Sequence, residues 1–292
     1  MIKIIDSHIH LFDLNKGNYQ WLKPENPPFW PDKGIIANNF SEQDLTLSSP
    51  LYLSGFVHIE AGFDNEYPWR EIAWLENTCK RAFRSIAMLD ITLPKPIFTE
   101  QLEKLIRYPS VVGIRHILDD DAQVILNHQH TQANLALLAD KRLSFELQMP
   151  LTDTTAVDSL IAIIQSTTDL MLCINHAGSP TTNNKQQTTW LDNLKRLAKF
   201  NTVFIKCSGY EMTDRHYLAS WQHHIIALCL ANFGISRVML ASNFPLSLWY
   251  SSYQDTWRNT YALLQDYKPC LSSKNIAQLC YQNAYLFYKF NH

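Results

Sequence analysis

Two imidazoles two residues apart, His8 and His10 in the stretch Asp6-Ser7-His8-Ile9-His10, are the first groups in this sequence with an evident chemical use. In an extended segment, side chains at i and i+2 point to one side. Two imidazoles so placed grip one divalent cation through nitrogen, and zinc accepts such donors readily. The spacing alone is a weak signal in a chain with 11 histidines. A second pair, in Asn127-His128-Gln129-His130, reads as a solvated loop or helix end. The first pair carries more weight because it directly follows the apolar run Ile2–Ile5. His176 similarly ends the run Leu170–Asn175 and precedes Ala177-Gly178. Alone it is a satisfied core histidine; with the pair it becomes a third ligand or a proton carrier. Arg115, in Val111-Val112-Gly113-Ile114-Arg115, and Lys206, in Phe204-Ile205-Lys206-Cys207, interrupt strand-like runs. A buried cation needs a partner. That partner is either a substrate carboxylate or developing oxyanion, or one of Glu60, Glu146 and Asp90.

The elements that must position these groups follow from patterning. Eight apolar or β-branched runs have strand length: Ile2–Ile5, Leu51–Ile59, Arg84–Ile91, Val111–Leu118, Leu143–Met149, Leu170–Asn175, Thr202–Cys207 and Arg237–Ala241. Helix-length segments separate them, among them Trp69–Phe83, Thr131–Lys141, Trp190–Phe200 and a final helix over Ser272–Lys289 capped by Ser272 or Ser273. Eight βα units in 292 residues predict a single (β/α)8 barrel of TIM type occupying 1–292. An open doubly wound sheet is the alternative, but no GxGxxG turn supports it. In a barrel, functional groups project from the C-terminal strand ends. Those ends carry His8 and His10, His58 and Glu60, Asp90, Arg115 and His116, Glu146 and Gln148, His176, Lys206 and Ser208, and Asn243. Charge at nearly every strand end is unlike a packed core and predicts a site at one mouth.

Two stretches break the rhythm. Asn15–Phe40 combines Pro24, Pro27, Pro28 and Pro31 with Tyr19, Trp21, Phe29 and Trp30. It reads as a pocket wall or lid, or as an insertion packing on its own aromatics. Ser179–Thr189 is polar and reads as a loop. The net charge of −2, without a basic stripe, excludes nucleic-acid binding by composition. No apolar run is long enough to span a membrane, and the N-terminal stretch lacks the marks of a signal peptide. Six cysteines without a CxxC pair read as reduced thiols of a cytoplasmic protein.

The motifs, in their order and spacing, resemble the amidohydrolase superfamily, specifically the lactone-hydrolysing branch called amidohydrolase family 2. The matching pieces are IDSHIHLFD at 5–13, Tyr19-Gln20-Trp21-Leu22, VVGIRHIL at 111–118, INHAGSP at 174–180, VFIKCSGYEM at 203–212 and VMLASNFPL at 238–246, with Asn283-Ala284 and Tyr288 near the C-terminus. The resemblance implies a distorted (β/α)8 barrel and a water activated near His8, His10 and His176. It implies a scissile ester in a sugar or dicarboxylate lactone, with Arg115 and Lys206 holding substrate charge and Tyr19 and Trp21 shaping the pocket. His8, His10 and His176 would hold one divalent ion, zinc or manganese; a metal-free site is the alternative.

The family usually places Asp at the end of strand eight, as ligand and proton acceptor, and this sequence has Asn243. An amide does not take a proton from water near neutral pH and is a poorer zinc ligand. Three consequences stay open: a bound ion alone activates the water, Glu60 or a histidine serves as base, or the site no longer turns over. The expected activity is metal-dependent hydrolysis of a small anionic or sugar-derived lactone. The alternatives are an impaired barrel that binds an acidic small molecule and a decarboxylase-like lyase. The expected partner is a small-molecule substrate; a homodimer is compatible with the sequence but not required by it.

Overall fold

The computed structural model describes residues 1–267 and 270–290. Eight parallel strands form one sheet in sequence order: β1 (Ile2–Ile9), β2 (Leu51–Ile59), β3 (Phe83–Met88), β4 (Val111–Ile117), β5 (Ser144–Gln148), β6 (Leu172–Ile174), β7 (Val203–Cys207) and β8 (Val238–Leu240). Each predicted strand is present, and helices connect the strands in the alternation of a TIM barrel. The main difference is at β1, which continues through Asp6 to Ile9 and so carries His8 within it. The polar stretch 179–189 is also shorter as a loop than its composition suggests. Asn183 accepts hydrogen bonds from the N–H groups of Lys185 and Gln186, and a helix runs from there over Asn184–Ala198. The C-terminal helical segment starts behind the Ser272 cap, and a π-turn over Gln278–Gln282 divides it.

The barrel is nearly closed, and side chains complete the seam between β1 and β8. Strand β8 has three residues. Beyond its end, Asn243 N–H donates to His8 O at 3.0 Å and His10 N–H to Phe244 O at 2.7 Å. The Asp6 carboxylate, fully buried, accepts from Ser242 N–H at 3.0 Å, His8 N–H at 3.3 Å and Trp257 Nε1–H at 2.9 Å. Those bonds compensate a buried charge and tie the histidine strand to the strand-eight loop.

Period-two alternation sorts the strand residues. The outward set packs under the helices in the large core that includes Ile4, Phe56, Phe145, Leu172 and Ile205. The inward set, including Ile5, Val57, Ile59, Ile86, Cys173 and Met239, forms a second cluster with Ala284 and Tyr288 from the C-terminal segment. Along β7, Phe204 packs against this inner cluster, Lys206 follows two residues on, and Ser208 stands beyond the strand at the mouth. Among the described residues no helix is long and apolar enough to cross a membrane. All six cysteines are free, and four of them are buried.

Candidate active site

The two β1 imidazoles meet head to head at the C-terminal mouth. His8 Nε2 lies 3.2 Å from His10 Nε2, and the His8 ring centroid is 4.5 Å from that of His176. The carbonyl of Ile59 accepts a hydrogen bond from His10 Nδ1 at 2.8 Å. That bond fixes the tautomer and leaves Nε2 of His10 with a lone pair. The short contact then makes His8 Nε2–H the donor, so His8 Nδ1 is bare, and it is buried without a partner. Burial, chiefly, and then His176 and Lys206 for His8 and Arg115 and His58 for His10, hold both well below the ordinary histidine range. His176, which keeps some solvent exposure, is lowered by burial and by the same two cations. Three neutral imidazoles therefore converge on one point.

The backbone that presents them is strained. His176 and Ala177 both have φ of +51°, and Asn243 has φ of +60°. Left-handed non-glycine residues cost energy and cluster at functional sites. Gly209, directly after β7, makes room for the cluster: a Cβ there would lie 2.3 Å from His176 Nδ1. Ser208 Oγ holds the same Nδ1 at 3.1 Å.

The two inward cations are already paired. Arg115 Nε donates to Glu60 Oε1 at 2.8 Å, its NH1 to Gln148 Oε1 at 2.7 Å and its NH2 to Glu60 O at 2.8 Å. Lys206 Nζ donates to Glu146 Oε2 at 2.7 Å, and Tyr288 OH donates to Glu146 Oε1 at 2.7 Å. Both partners of the Lys206–Glu146 pair have no exposed side-chain surface. Of the two readings of these cations, internal pairing is the one present. The same pairing engages Glu60 Oε1, the candidate base. His58 is also outside the site. It stands on the outer side of β2, where its Nδ1 accepts from Leu11 N–H at 3.2 Å and its Nε2–H donates to Glu71 at 3.0 Å.

The aromatic loop packs on the segments that follow β2 and β8. Tyr19 is 1% exposed; its hydroxyl accepts from Asp13 N–H at 3.0 Å. Buried and bonded in this way, it anchors the loop. Trp21 is half-buried, donates from Nε1 to Ala61 O at 2.7 Å and meets Trp30 edge-on. Trp30 in turn contacts Trp249, over which the Arg215 guanidinium stacks at 3.6 Å.

Two nitrogens on one tetrahedral zinc are separated by about 3.3 Å, from bond lengths of about 2.0–2.1 Å. With the His8 proton moved to its unpartnered Nδ1, the His8–His10 Nε2 separation of 3.2 Å fits that value, and the bond from His10 to Ile59 O is the outer-shell support such a ligand needs. Among the described residues, however, no three His, Cys, Asp or Glu side chains form a complete donor set. The residues fit two positions of an ion, with His176 adjacent.

Compared with models of known families, residues 5–290 match the one described as Amidohydrolase. The chain belongs to the amidohydrolase family. A relative at 27% identity over 268 residues, covering 88% of this chain and 89% of its own, is the uncharacterized protein y4mH of Sinorhizobium fredii. Among solved structures, an amidohydrolase from Burkholderia multivorans with bound zinc superposes with a TM-score of 0.81 at 19% identity, over 98% of this chain and 99% of that one. A putative 2-pyrone-4,6-dicarboxylic acid hydrolase from Pseudomonas putida superposes with a TM-score of 0.72 at 17% identity, over 100% and 99%. A 2,6-dihydroxybenzoate decarboxylase from Rhizobium does so with 0.64 at 12% identity, over 99% and 100%.

In this amidohydrolase the sequence reading passed over Glu211. It lies in the short helix Tyr210–Thr213 after β7, is 2% exposed, and accepts from Asn243 Nδ2 at 2.6 Å. Burial pushes its carboxyl up to about 7, against the opposing effect of the Asn243 bond and the Arg215 charge. Asn175, next to His176, is 2% exposed with neither side-chain polar atom bonded, and Asn243 Oδ1 and Ser247 Oγ are likewise buried and unpartnered. Buried polar groups without partners are rare. Several at one mouth mark a place that a polar ligand completes.

Proposed function

We propose that this amidohydrolase opens a small lactone by attack of water on the ring ester at the barrel mouth. The observation that carries the reading is the convergence of the neutral imidazoles of His8, His10 and His176. Neutral imidazoles bind a cation without proton competition. A divalent ion, zinc or manganese, would be held by His8 and His10 beside His176, and when bound it supplies Lewis acidity and a more acidic water. The chain's own residues do the rest. Ser208 orients His176, whose ring keeps access to solvent. The unpartnered atoms of Asn175, Asn243 and Ser247 offer the hydrogen bonds that fix a polyoxygenated substrate. Arg115 and Lys206 are neutralised by Glu60 and Glu146 and so have no spare charge for a substrate carboxylate. That favours a sugar-derived lactone over a dicarboxylate.

The test is a pH-indicator screen of sugar-acid and dicarboxylate lactones, with and without added zinc or manganese, on the wild-type protein and on the His8→Ala/His10→Ala double variant. Expected are turnover of a sugar lactone and its loss by at least about 100-fold in the folded double variant. Metal content by elemental analysis should fall with it. Retained turnover in that variant would refute the assignment. A second reading, a lyase releasing carbon dioxide, draws on Asn243, which does not deprotonate water, and on the fold shared with the Rhizobium decarboxylase. Carbon dioxide released from aromatic or unsaturated acids, with lactones untouched, would establish it.

A further inference from the structure

Asn243 and Glu211 form a buried pair whose chemistry is not symmetrical. An ionised carboxylate only accepts hydrogen bonds. The amide atom 2.6 Å from Glu211 Oε1 is therefore the nitrogen, and the opposite end of the same amide, Oδ1, is buried and unpartnered. The main chain holds this amide in place: Asn243 N–H donates to His8 O at 3.0 Å, and its φ of +60° turns the chain sharply after β8. Glu211 is placed from the other side. It follows by two residues the glycine whose missing Cβ leaves space for His176 Nδ1. The pair thus lies between the strand of His8 and the loop that contacts His176.

We propose that Glu211 is a positioning residue: it holds the Asn243 amide so that an acceptor oxygen, and not an amino group, is offered to the reacting groups. Its use in catalysis rests on the hydrolytic reading above; its geometry does not. An acceptor there orients the hydrogen of an attacking water or of a substrate hydroxyl, and a flipped amide would offer a donor in its place. Above about pH 7, where Glu211 is ionised, its charge enforces the choice, because charge-assisted hydrogen bonds are the strong ones. The surroundings keep that carboxyl sensitive to pH. Arg215, on the same loop, commits its guanidinium to Asp32 at 2.8 Å, to the Glu211 main-chain carbonyl and to the Trp249 ring. Tyr217, from the chain that follows, also feels the Glu211 charge. The amide is the group bonded to the carboxyl from the strand-eight side.

The test is a ¹⁵N titration of the Asn243 side-chain amide between about pH 4 and about pH 8.5, a window that spans both the ordinary and the raised carboxyl, the resonance being assigned by its loss in Asn243→Asp. In the wild-type protein it should move with a single midpoint near 7, the value to which Glu211 is raised. In Glu211→Gln the movement should vanish. An amide that does not titrate in the wild type, or titrates equally in Glu211→Gln, overturns the pairing; the wild-type arm decides even if that variant fails to fold. With a lactone found in the screen, Glu211→Gln should lower kcat about 10-fold or more, leave KM within about twofold and remove the ionisation near 7 from the pH–rate profile. Unchanged kcat with a normal titration would overturn the positioning role. If no lactone is turned over, the hydrolytic reading fails while the titration still decides the pair.

Discussion

Lys206 separates two accounts of this barrel by stability alone. If it is an internal partner, Lys206→Met strands the Glu146 carboxylate in a place where neither side chain has exposed surface, with the Tyr288 hydroxyl as its remaining bond. Removing one member of a buried ion pair costs about 3–5 kcal/mol, because an uncompensated charge stays behind. For a chain of this size that lowers the melting temperature by about 10 °C. Neutralising the partner as well, in Lys206→Met/Glu146→Gln, keeps an acceptor for Tyr288 and removes the stranded charge. The double variant should recover all but about 1–2 kcal/mol of the loss. The measurement is urea unfolding of the wild type, both single variants and the double variant, read as a double-mutant cycle. A Lys206→Met variant within about 0.5 kcal/mol of wild type, with a raised KM for the lactone, would refute internal pairing and return Lys206 to the substrate.

Two other changes probe the mouth. Gly209→Ala places a methyl 2.3 Å from His176 Nδ1 on a backbone with φ of +69°. It should cost about 1–2 kcal/mol in unfolding free energy and reduce turnover about 10-fold or more by displacing His176, as unfolding curves and initial rates will show. Glu211→Gln should stabilise the protein in a pH-dependent way. The buried carboxyl is raised from its ordinary value of 4.5 to about 7, so its folded form prefers the proton. Stability is then full below about 4.5 and is lost as pH rises to about 7, at about 1.4 kcal/mol per pH unit. The variant should match the wild type at low pH and exceed it by about 3 kcal/mol above neutrality; parallel stability–pH curves would contradict the raised value.

The barrel was legible because its physics is periodic. Most strands are short, largely buried runs of apolar residues, and that pattern survives without knowledge of register. The imidazole cluster was legible for the same reason: His8 and His10 share a strand face, and His176 ends a neighbouring strand. The fate of the cations was not. Arg115 and Lys206 interrupt apolar runs whichever partner they take. Choosing Glu60 and Glu146 over a substrate requires knowing that the end of β2 brings Glu60 to Arg115, and that β5 and β7 both turn their charges inward. The burial of Tyr19 was not legible either, because an aromatic in a proline-rich loop looks the same whether it shapes a pocket or anchors the loop.

Glu211 was hidden for a more instructive reason. It lies two residues past the mouth glycine, in a four-residue helical turn, where no strand period reaches. A search for groups at strand ends passes over it. Yet a signal was present in Asn243 itself. A buried amide offers both donors and an acceptor, so an Asn ending a strand at a polar mouth needs an acceptor-only group beside its nitrogen if its oxygen is to face the site. Seeking that carboxylate in the loop of the adjacent strand, β7, leads directly to Glu211 in Tyr210-Glu211-Met212. A substitution of amide for acid at one strand end therefore does not remove the carboxylate from the site. It moves the carboxylate one residue contact away, where it sets which face of the amide the substrate meets.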